Sequence, residues 1–439
     1  MNKEEFQFKN KVILIYGFGI SGKACFKYLK RNNNTFIYDD NSKLIPNKYK
    51  KQFLNIKKIS KYNFNHIVIS PGIDLNKCSL EKYLKENKEK IISELDIFYL
   101  ENKNNLKITI TGTNGKSTTS KLLYEIIKNH KKDVRIVGNI GNPILSEKKI
   151  NPKTIFVIEA SSYQIEYSKY FKTDIAAILN ISPDHLERHR TINNYVKSKF
   201  KLIKNQKKGS LSFIEKQSKY LYSEIKKNKV KSKIIKVNNS FPNTFKNKIT
   251  NTYFNNLNNL NNLKFILEIS KKIKLNKKII LKTVNLFKGL KYRQQIIFNN
   301  KKLLIINDSK STSFSSSKNL LQSYKNIYWL VGGKFKKGDK FILDKKYYKN
   351  IKVYIYGSKI NSFKKQFKNK VKYKILYNIK KALIKIVEDS KNDNSKKIII
   401  LFSPAAASFD YFRNFEERGK YFNNQIKILK FIKKINDRK

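Results

Sequence analysis

The sequence predicts an α/β protein of three domains, each built on a mostly parallel sheet wound by helices. Three observations carry this. Short apolar runs of strand length end repeatedly in turns and lead into helical patterns. The length of 439 residues suits two to four domains. Gly, only 15 residues in all, gathers in clusters such as 17–22, 112–115, 138–141 and 332–333, where backbone geometry has to explain it.

The first element is residues 11–16 (KVILIY), a continuous apolar run that reads as a buried parallel strand. A helical pattern over 21–30 and a second strand over 35–38 follow. Gly17-x-Gly19-x-x-Gly22 fills the turn, and Asp39 and Asp40 come about 20 residues later. This is a Rossmann-like fingerprint, which seats a diphosphate on a helix N-terminus. It makes Gly17, Phe18, Gly19, Ile20, Ser21, Asp39 and Asp40 candidate ligand contacts. It does not say which nucleotide, and a turn needed only for packing competes with it. A third strand over 66–70 runs into Ser70-Pro71-Gly72, at the carboxyl edge where open α/β sheets take ligands.

The second domain opens on a strand at 107–110, then Gly112-Thr113-Asn114-Gly115-Lys116-Ser117-Thr118, then a helix to about 129. Strand, Gly-containing loop, Lys-Ser and helix make a phosphate loop. Its N–H groups and helix dipole hold phosphates, Lys116 neutralises their charge, and Ser117 reaches Mg²⁺. Two residues separate Gly112 from Gly115 where the common loop has four. A strand over 154–158 places Glu159 at its carboxyl end as a further oxygen ligand. Another strand over 175–179 leads to Asn180-Ile181-Ser182-Pro183-Asp184-His185-Leu186-Glu187-Arg188-His189. Two of the four His and one of the eight Arg fall in that decapeptide. Further strands are expected at 302–306, 327–331, 353–356 and 397–402, giving a third doubly wound sheet. The Lys/Asn-rich stretch 231–262 is expected to be surface loops with short elements.

The net charge of +63 comes from 95 Lys plus Arg against 32 Asp plus Glu. It suggests a nucleic-acid binder. However, 87 of the 95 cations are Lys, and Asn counts 53. Nucleic-acid readers rely on Arg for bidentate contacts, and here Lys is spread along the whole chain. The charge therefore reads as a solvated background, and no nucleic-acid partner is expected. Two Cys exclude a disulfide scaffold. No apolar run approaches the ~18 residues of a membrane span, and residues 1–10 lack a secretory pattern. A cytoplasmic monomer without integral membrane association is the expectation.

Taken together, TGTNGKST, the Glu159-containing EASSYQ and NISPDHLERH resemble the Mur ligases, ATP-dependent amide-forming enzymes of peptidoglycan synthesis. Later segments extend the resemblance to about residues 11–425: Gly289-Leu290-Lys291-Tyr292-Arg293 (Tyr292 standing for the usual His), Asn307-Asp308-Ser309-Lys310, Gly332-Gly333-Lys334, and Ser403–Asp410 with Phe415–Gly419. The last two are similar to the D-glutamate-adding branch. A Mur-type ligase of different amino-acid specificity is the alternative. An NAD-dependent enzyme would leave the second and third motifs unexplained.

The resemblance implies a UDP-binding domain over 1–96, an ATP-binding domain over 97–291 and an amino-acid-binding domain over 292–439. It implies ATP and Mg²⁺ as cofactors, with UDP-N-acetylmuramoyl-L-alanine and D-glutamate as substrates. Lys116, Ser117 and Glu159 would serve ATP and its metal, and His185 a second Mg²⁺. Lys199, rather than Lys197, would be the carbamylated metal ligand. Asn139, with Ser70, Pro71 and Gly72, would contact the muramoyl substrate. Asn259, Asn262, Arg293 and Asp308 would contact the nucleotide. Lys310, Thr312, Lys336, Ser408 and Phe409 would hold D-glutamate.

Overall fold

A computed structural model describes residues 8–238, 243–336, 338–391 and 393–436. Residues 1–7, within the segment read for a leader, and 239–242, within the Lys/Asn-rich stretch, lie outside the described residues. The chain folds into three sheets, in keeping with the α/β reading.

The first sheet has β1 (Val12–Tyr16), β2 (Asn34–Tyr38), β3 (His66–Ile69) and β4 (Ile91–Ile92) in the order β2-β1-β3-β4, all parallel. The second has β5 (Lys107–Thr111), β6 (Val134–Gly138), β7 (Ile155–Glu159), β8 (Ile175–Ile178), β9 (Leu211–Glu215) and β10 (Lys233–Val237). Its order is β10-β9-β8-β5-β7-β6, again all parallel. The continuous apolar runs follow from this topology, because strands covered on both faces carry no polar alternation. β5 is buried at every residue. The helix after it, Lys116–Asn129, buries Leu122, Leu123, Ile126 and Ile127 on one stripe.

These two sheets share one compact unit, formed by the chain up to Lys246 together with Asn262–Thr283. Within it, a helix over Glu94–Glu101 joins the first sheet to the second. Asp96 on that helix is fully buried and accepts from the N–H groups of Ser93, Lys169, Tyr170 and Phe171 at 2.7–3.0 Å. A carboxylate so surrounded by donors replaces its lost water completely.

The third sheet belongs to the second unit, Asn247–Asn261 and the chain from Val284 onward. Its strands are β11 (Gln295–Asn299), β12 (Leu303–Asn307), β13 (Ile327–Gly332), β14 (Ile351–Tyr356), β15 (Lys372–Ile375) and β16 (Ile398–Phe402). The order is β11-β12-β16-β13-β14-β15, with only β11 antiparallel. In the Lys/Asn-rich stretch the structure has β10, a one-turn helix over Asn243–Lys246, a 3₁₀ turn over Thr252–Asn255 and, from Leu257 on, the start of a 16-residue helix, Leu257–Lys272, longer than the short elements expected there.

Candidate active site

In the second sheet β5 sits between β7 and β8. The chain leaves β5 toward one side and later returns to pair on the other, which makes a switch point with a crevice at the carboxyl ends. Three loops meet there: 112–115 after β5, the end of β7 at Glu159, and 180–185 after β8. Gly115 caps the helix with φ 83°, a conformation L side chains avoid. A Cβ there would also collide with the Asn262 side chain. Lys116 Nζ donates to the carbonyls of Gly112 and Thr113, each at 2.8 Å. Thr113 N–H donates to Asn180 O at 3.0 Å, and Asn114 N–H to Asn180 Oδ1 at 2.8 Å. Thr113 Oγ1 lies 3.1 Å from the Tyr195 hydroxyl. The loop is thus held against the β8 loop. Ser117 and Thr118 are buried beside it.

Glu159 is the last residue of β7 rather than the residue after it, and it is 1 % exposed. Asn139 Nδ2 donates to its Oε1 at 2.7 Å, which brings those two predicted residues together. Glu159 Oε2 is buried and has no hydrogen-bond partner among the described residues. A buried carboxylate oxygen left bare is costly, and the bare atom fits a cation.

Lys199 lies on the helix Ile192–Lys204 and is 1 % exposed, whereas Lys197 is exposed. Its Nζ donates to Gly112 O at 3.0 Å and to Thr111 Oγ1 at 3.3 Å. It lies 4.7 Å from the Tyr195 ring centroid. Burial first, and then Lys116, pushes its pKa well below the ordinary lysine value.

His185 has φ 54°, ψ 33°, and its Nδ1 is 2.9 Å from the Tyr163 hydroxyl. His189 is buried with Nε2 2.9 Å from Ser162 Oγ. Burial, with His185, Arg188 and Lys199 nearby, lowers its pKa to about 4, so it is neutral. Arg188 serves the scaffold. It donates to Ile73 O at 2.6 Å, to Glu166 and to the Tyr167 hydroxyl, and so fastens the turn after β3 to the helix Ser162–Glu166.

In the first sheet, Gly17 has φ 90°, and its carbonyl accepts from Ser70 Oγ at 2.6 Å. Asp39 accepts from Phe18 N–H at 2.7 Å and from Asn41 N–H at 2.9 Å. Asp40 is held by the hydroxyls of Tyr16 and Ser79. The Phe18 ring is 1 % exposed and packs edge-on against Phe26 and Tyr49, and its N–H is donated to Asp39. An apolar ring after the first Gly is drawn into the core. Ile20, by contrast, is 79 % exposed beside Gly19. Pro71 and Gly72 lie in the turn after β3.

In the second unit, the carboxyl ends of β12, β16 and β13 collect the remaining motifs. Asp308 is buried and accepts from Gln294 N–H at 3.0 Å and Ser403 Oγ at 3.2 Å. Burial raises its pKa to about 7. Lys310 Nζ and the Arg293 guanidinium lie 4.2 and 5.6 Å from the Phe415 ring centroid. Lys334 pairs with Ala407 through both backbone bonds, so the 332–336 turn lies along the 403–408 loop. Ser408 is buried there, Phe409 is 68 % exposed, and Thr312 and Lys336 are half-buried. Asn259 is buried, with Nδ2 on Tyr253 O at 2.9 Å. Asn262 lies beside the phosphate loop.

Sequence reasoning gave no role to Tyr163, Asn180, Tyr195 or Gln164, although Tyr163, Gln164 and Asn180 sit inside the quoted motifs. Tyr195 and Glu94 carried no sequence signal. Arg418 belongs to a quoted motif, but its task as the buried centre of the second unit was not legible.

Residues 110–276 match the family model described as the Mur ligase middle domain. The UDP-N-acetylmuramoylalanine–D-glutamate ligase of Rickettsia bellii is 31% identical, with 94% of this chain and 97% of that protein covered. The same-named enzyme of Rickettsia prowazekii is 31% identical over 96% and 98%. Among solved structures, a MurF ligase from Thermotoga maritima in complex with ADP superposes with a TM-score of 0.56 at 14% identity, covering 98% of each chain. A UDP-N-acetylmuramate–alanine ligase from Thermotoga maritima gives 0.52 at 14% identity, covering 95% of this chain and 99% of that one. The fold is therefore that of these ligases, and the chain belongs to the Mur ligase family. Within that family, both Rickettsia relatives, aligned over nearly their whole length, carry the name of the D-glutamate-adding ligase.

Proposed function

We propose that the protein is an ATP-dependent ligase that joins D-glutamate to UDP-N-acetylmuramoyl-L-alanine in peptidoglycan precursor synthesis. The observation that carries this reading is the crevice where Lys116, Glu159 and Lys199 converge on the phosphate loop. The γ-phosphoryl group of ATP passes to the terminal alanine carboxylate, giving an acyl phosphate and ADP. The D-glutamate amine then attacks the acyl carbon, and the C–O bond to phosphate breaks as the amide forms. Two anions must be brought together, so the work is charge neutralisation and alignment.

Lys116 holds the transferring phosphates. Ser117 and Glu159 would hold Mg²⁺, and the bare Glu159 Oε2 supports that assignment. Among the described residues no cluster of three or more His, Cys, Asp or Glu is arranged for a metal. That donor set suits an ion that completes its shell with phosphate oxygens and water. When bound, Mg²⁺ would neutralise phosphate charge. Burial lowers the Lys199 pKa, which favours the neutral amine, the form that adds to CO₂ to give a carbamate with loss of a proton. A carbamate there, with His185, would be a second anionic and imidazole pair for Mg²⁺. The Gly17–Ser21 loop, Asp39, Asp40 and residues 70–72 would take the UDP part of the substrate. Asn139 would contact its muramoyl-peptide end. Asn262, Asn259, Arg293 and Asp308 are proposed for the nucleotide, and Lys310, Thr312, Lys336, Ser408 and Phe409 for D-glutamate. The corresponding domains are 1–96, 97–291 and 292–439, and no helix among the described residues is long and apolar enough to cross a membrane.

Phosphate release dependent on ATP, Mg²⁺ and UDP-N-acetylmuramoyl-L-alanine, measured across amino acids, tests the reading. Turnover with D-glutamate alone is expected. Turnover with another amino acid and none with D-glutamate would overturn the specificity.

A further inference from the structure

The helix Glu94–Glu101 carries two buried carboxylates that are treated differently. Asp96 is saturated with donors, as described above. Glu94 is 3 % exposed and has one oxygen in use. Its Oε1 accepts from Ser21 Oγ at 3.2 Å and from Gln164 Nε2 at 2.8 Å. Its Oε2 is buried with no partner among the described residues.

The two donors are informative. Ser21 stands in the Gly17–Gly22 loop after β1, at the start of the helix Ile20–Leu29. Gln164 stands in the helix Ser162–Glu166, and its Oε1 accepts from the N–H and Oγ of Ser161 at 3.0 and 3.1 Å. Ser161 is two residues beyond Glu159. A single carboxylate oxygen therefore ties the loop proposed for the nucleotide end of the substrate to the segment after Glu159, which is proposed for Mg²⁺ and accepts from Asn139, the residue proposed for the muramoyl-peptide end. Burial raises the Glu94 pKa, and Gln164 and Ser21 oppose the rise.

We infer that Glu94 is a positioning residue that fixes the separation between the Gly17–Gly22 loop and the Glu159 segment for a ligand that spans both. The inference rests on the function proposed above. UDP-N-acetylmuramoyl-L-alanine has its diphosphate at one end and its reacting carboxylate at the other. Holding both anchor points at a fixed distance makes binding of the second end effectively intramolecular. UDP alone, or an ATP analogue alone, uses only one anchor and gains nothing from the tie.

The test is calorimetric, on the full chain, with UDP-N-acetylmuramoyl-L-alanine, UDP and a non-hydrolysable ATP analogue as separate ligands. Glu94→Ala is expected to weaken the spanning substrate at least about fivefold, the lower end of coupling between sites, and to leave UDP and the ATP analogue unchanged. Glu94→Gln keeps a carbonyl oxygen for both donors and is expected to restore wild-type affinity. Should Glu94→Ala fail to fold, Gln164→Met removes the same bond from the other end and is expected to show the same selective loss. Equal weakening of all three ligands, or no weakening of any, would overturn the positioning role. A wild-type protein that binds UDP no more weakly than the spanning substrate would overturn the proposed function itself, and the inference with it.

Discussion

Replacing Asp308 by Asn should make the second unit more stable as pH rises, relative to the parent. The carboxyl is buried beneath the ends of β12 and β16, and burial raises its pKa from 3.8 to about 7. The folded state therefore binds the proton more tightly than the unfolded chain does. Stability from this group is complete below the unfolded value and is lost as pH rises to the folded value. At about 1.4 kcal/mol per unit, the cost is about 1.7 kcal/mol at about pH 5 and about 4 kcal/mol at about pH 8. Asn carries no such penalty. Its oxygen can still accept from Gln294 N–H, and its NH₂ can donate to Ser403 Oγ. The stability of Asp308→Asn minus parent should therefore grow by about 2.5 kcal/mol between those two pH values. Hydrogen exchange of the β12 and β16 amides is the appropriate assay, because the two compact units need not unfold together. A difference that stays flat within about 0.5 kcal/mol across that range would refute the argument, since a carboxyl already ionised at about pH 5 has no such slope.

Other consequences are equally direct. Lys116→Ala should lower kcat by about 10²–10³, the usual loss when a positioned cation or donor is removed from a developing charge. Full activity in phosphate release would exclude the mechanism. Gly115→Ala places a Cβ at φ 83° and against Asn262, so ATP-analogue affinity should fall by about tenfold, consistent with about 1–2 kcal/mol of left-handed strain. Unchanged calorimetric affinity would contradict it. Glu159→Gln keeps the Asn139 bond and removes a bare buried charge. Melting temperature should hold or rise while the Mg²⁺ concentration for half-maximal activity increases, and an unchanged Mg²⁺ titration would count against Glu159 as a ligand.

The strands and loops that the sequence does show are each marked by something rare, whereas β4, β6, β9 and β10 carry no such mark. Apolar runs at 11–16, 107–110 and 327–331 stand out in a Lys/Asn background, and Gly17, Gly112, Gly115, Gly138, Gly141, Gly332 and Gly333 fall where φ is positive. Glu159 was read one residue beyond its strand; β7 extends to include it because it pairs with Gly138 in β6. Strand ends depend on partners, which sequence does not display. The burial of the Phe18 ring has a related cause. Its position in the fingerprint is a backbone property, but its ring follows the nearest apolar surface, formed by Phe26 and Tyr49. β11 and β15 were missed because they are edge strands of the third sheet. β11 is half-exposed along most of its length and its apolar run is only the three residues Ile296–Phe298, and β15 has a mostly exposed surface with Lys alternating along it.

The Arg residues give the sharpest case of what sequence can and cannot say. In a chain with 87 Lys and 8 Arg, an Arg inside a motif reads as functional, and substrate binding is the natural guess. Arg418 and Arg188 instead tie together loops of the chain, through backbone carbonyls and side-chain oxygens. Arg418 is fully buried, with Nε on Ser309 Oγ at 3.1 Å, Nη2 on Ser309 O at 2.7 Å and Nη1 on Gly332 O at 3.5 Å. One side chain so joins the Asp308 loop to the turn after β13. Arg188 joins the turn after β3 to the helix Ser162–Glu166 between two Tyr rings. Both tasks need several donors fixed in one plane. An ammonium on a flexible stem is a point charge that cannot span those acceptors at once. The scarcity of Arg therefore flags Arg188 and Arg418 as scaffold residues. It marks where the geometry excludes Lys, and that includes the scaffold that holds a site as well as the atoms that touch a substrate.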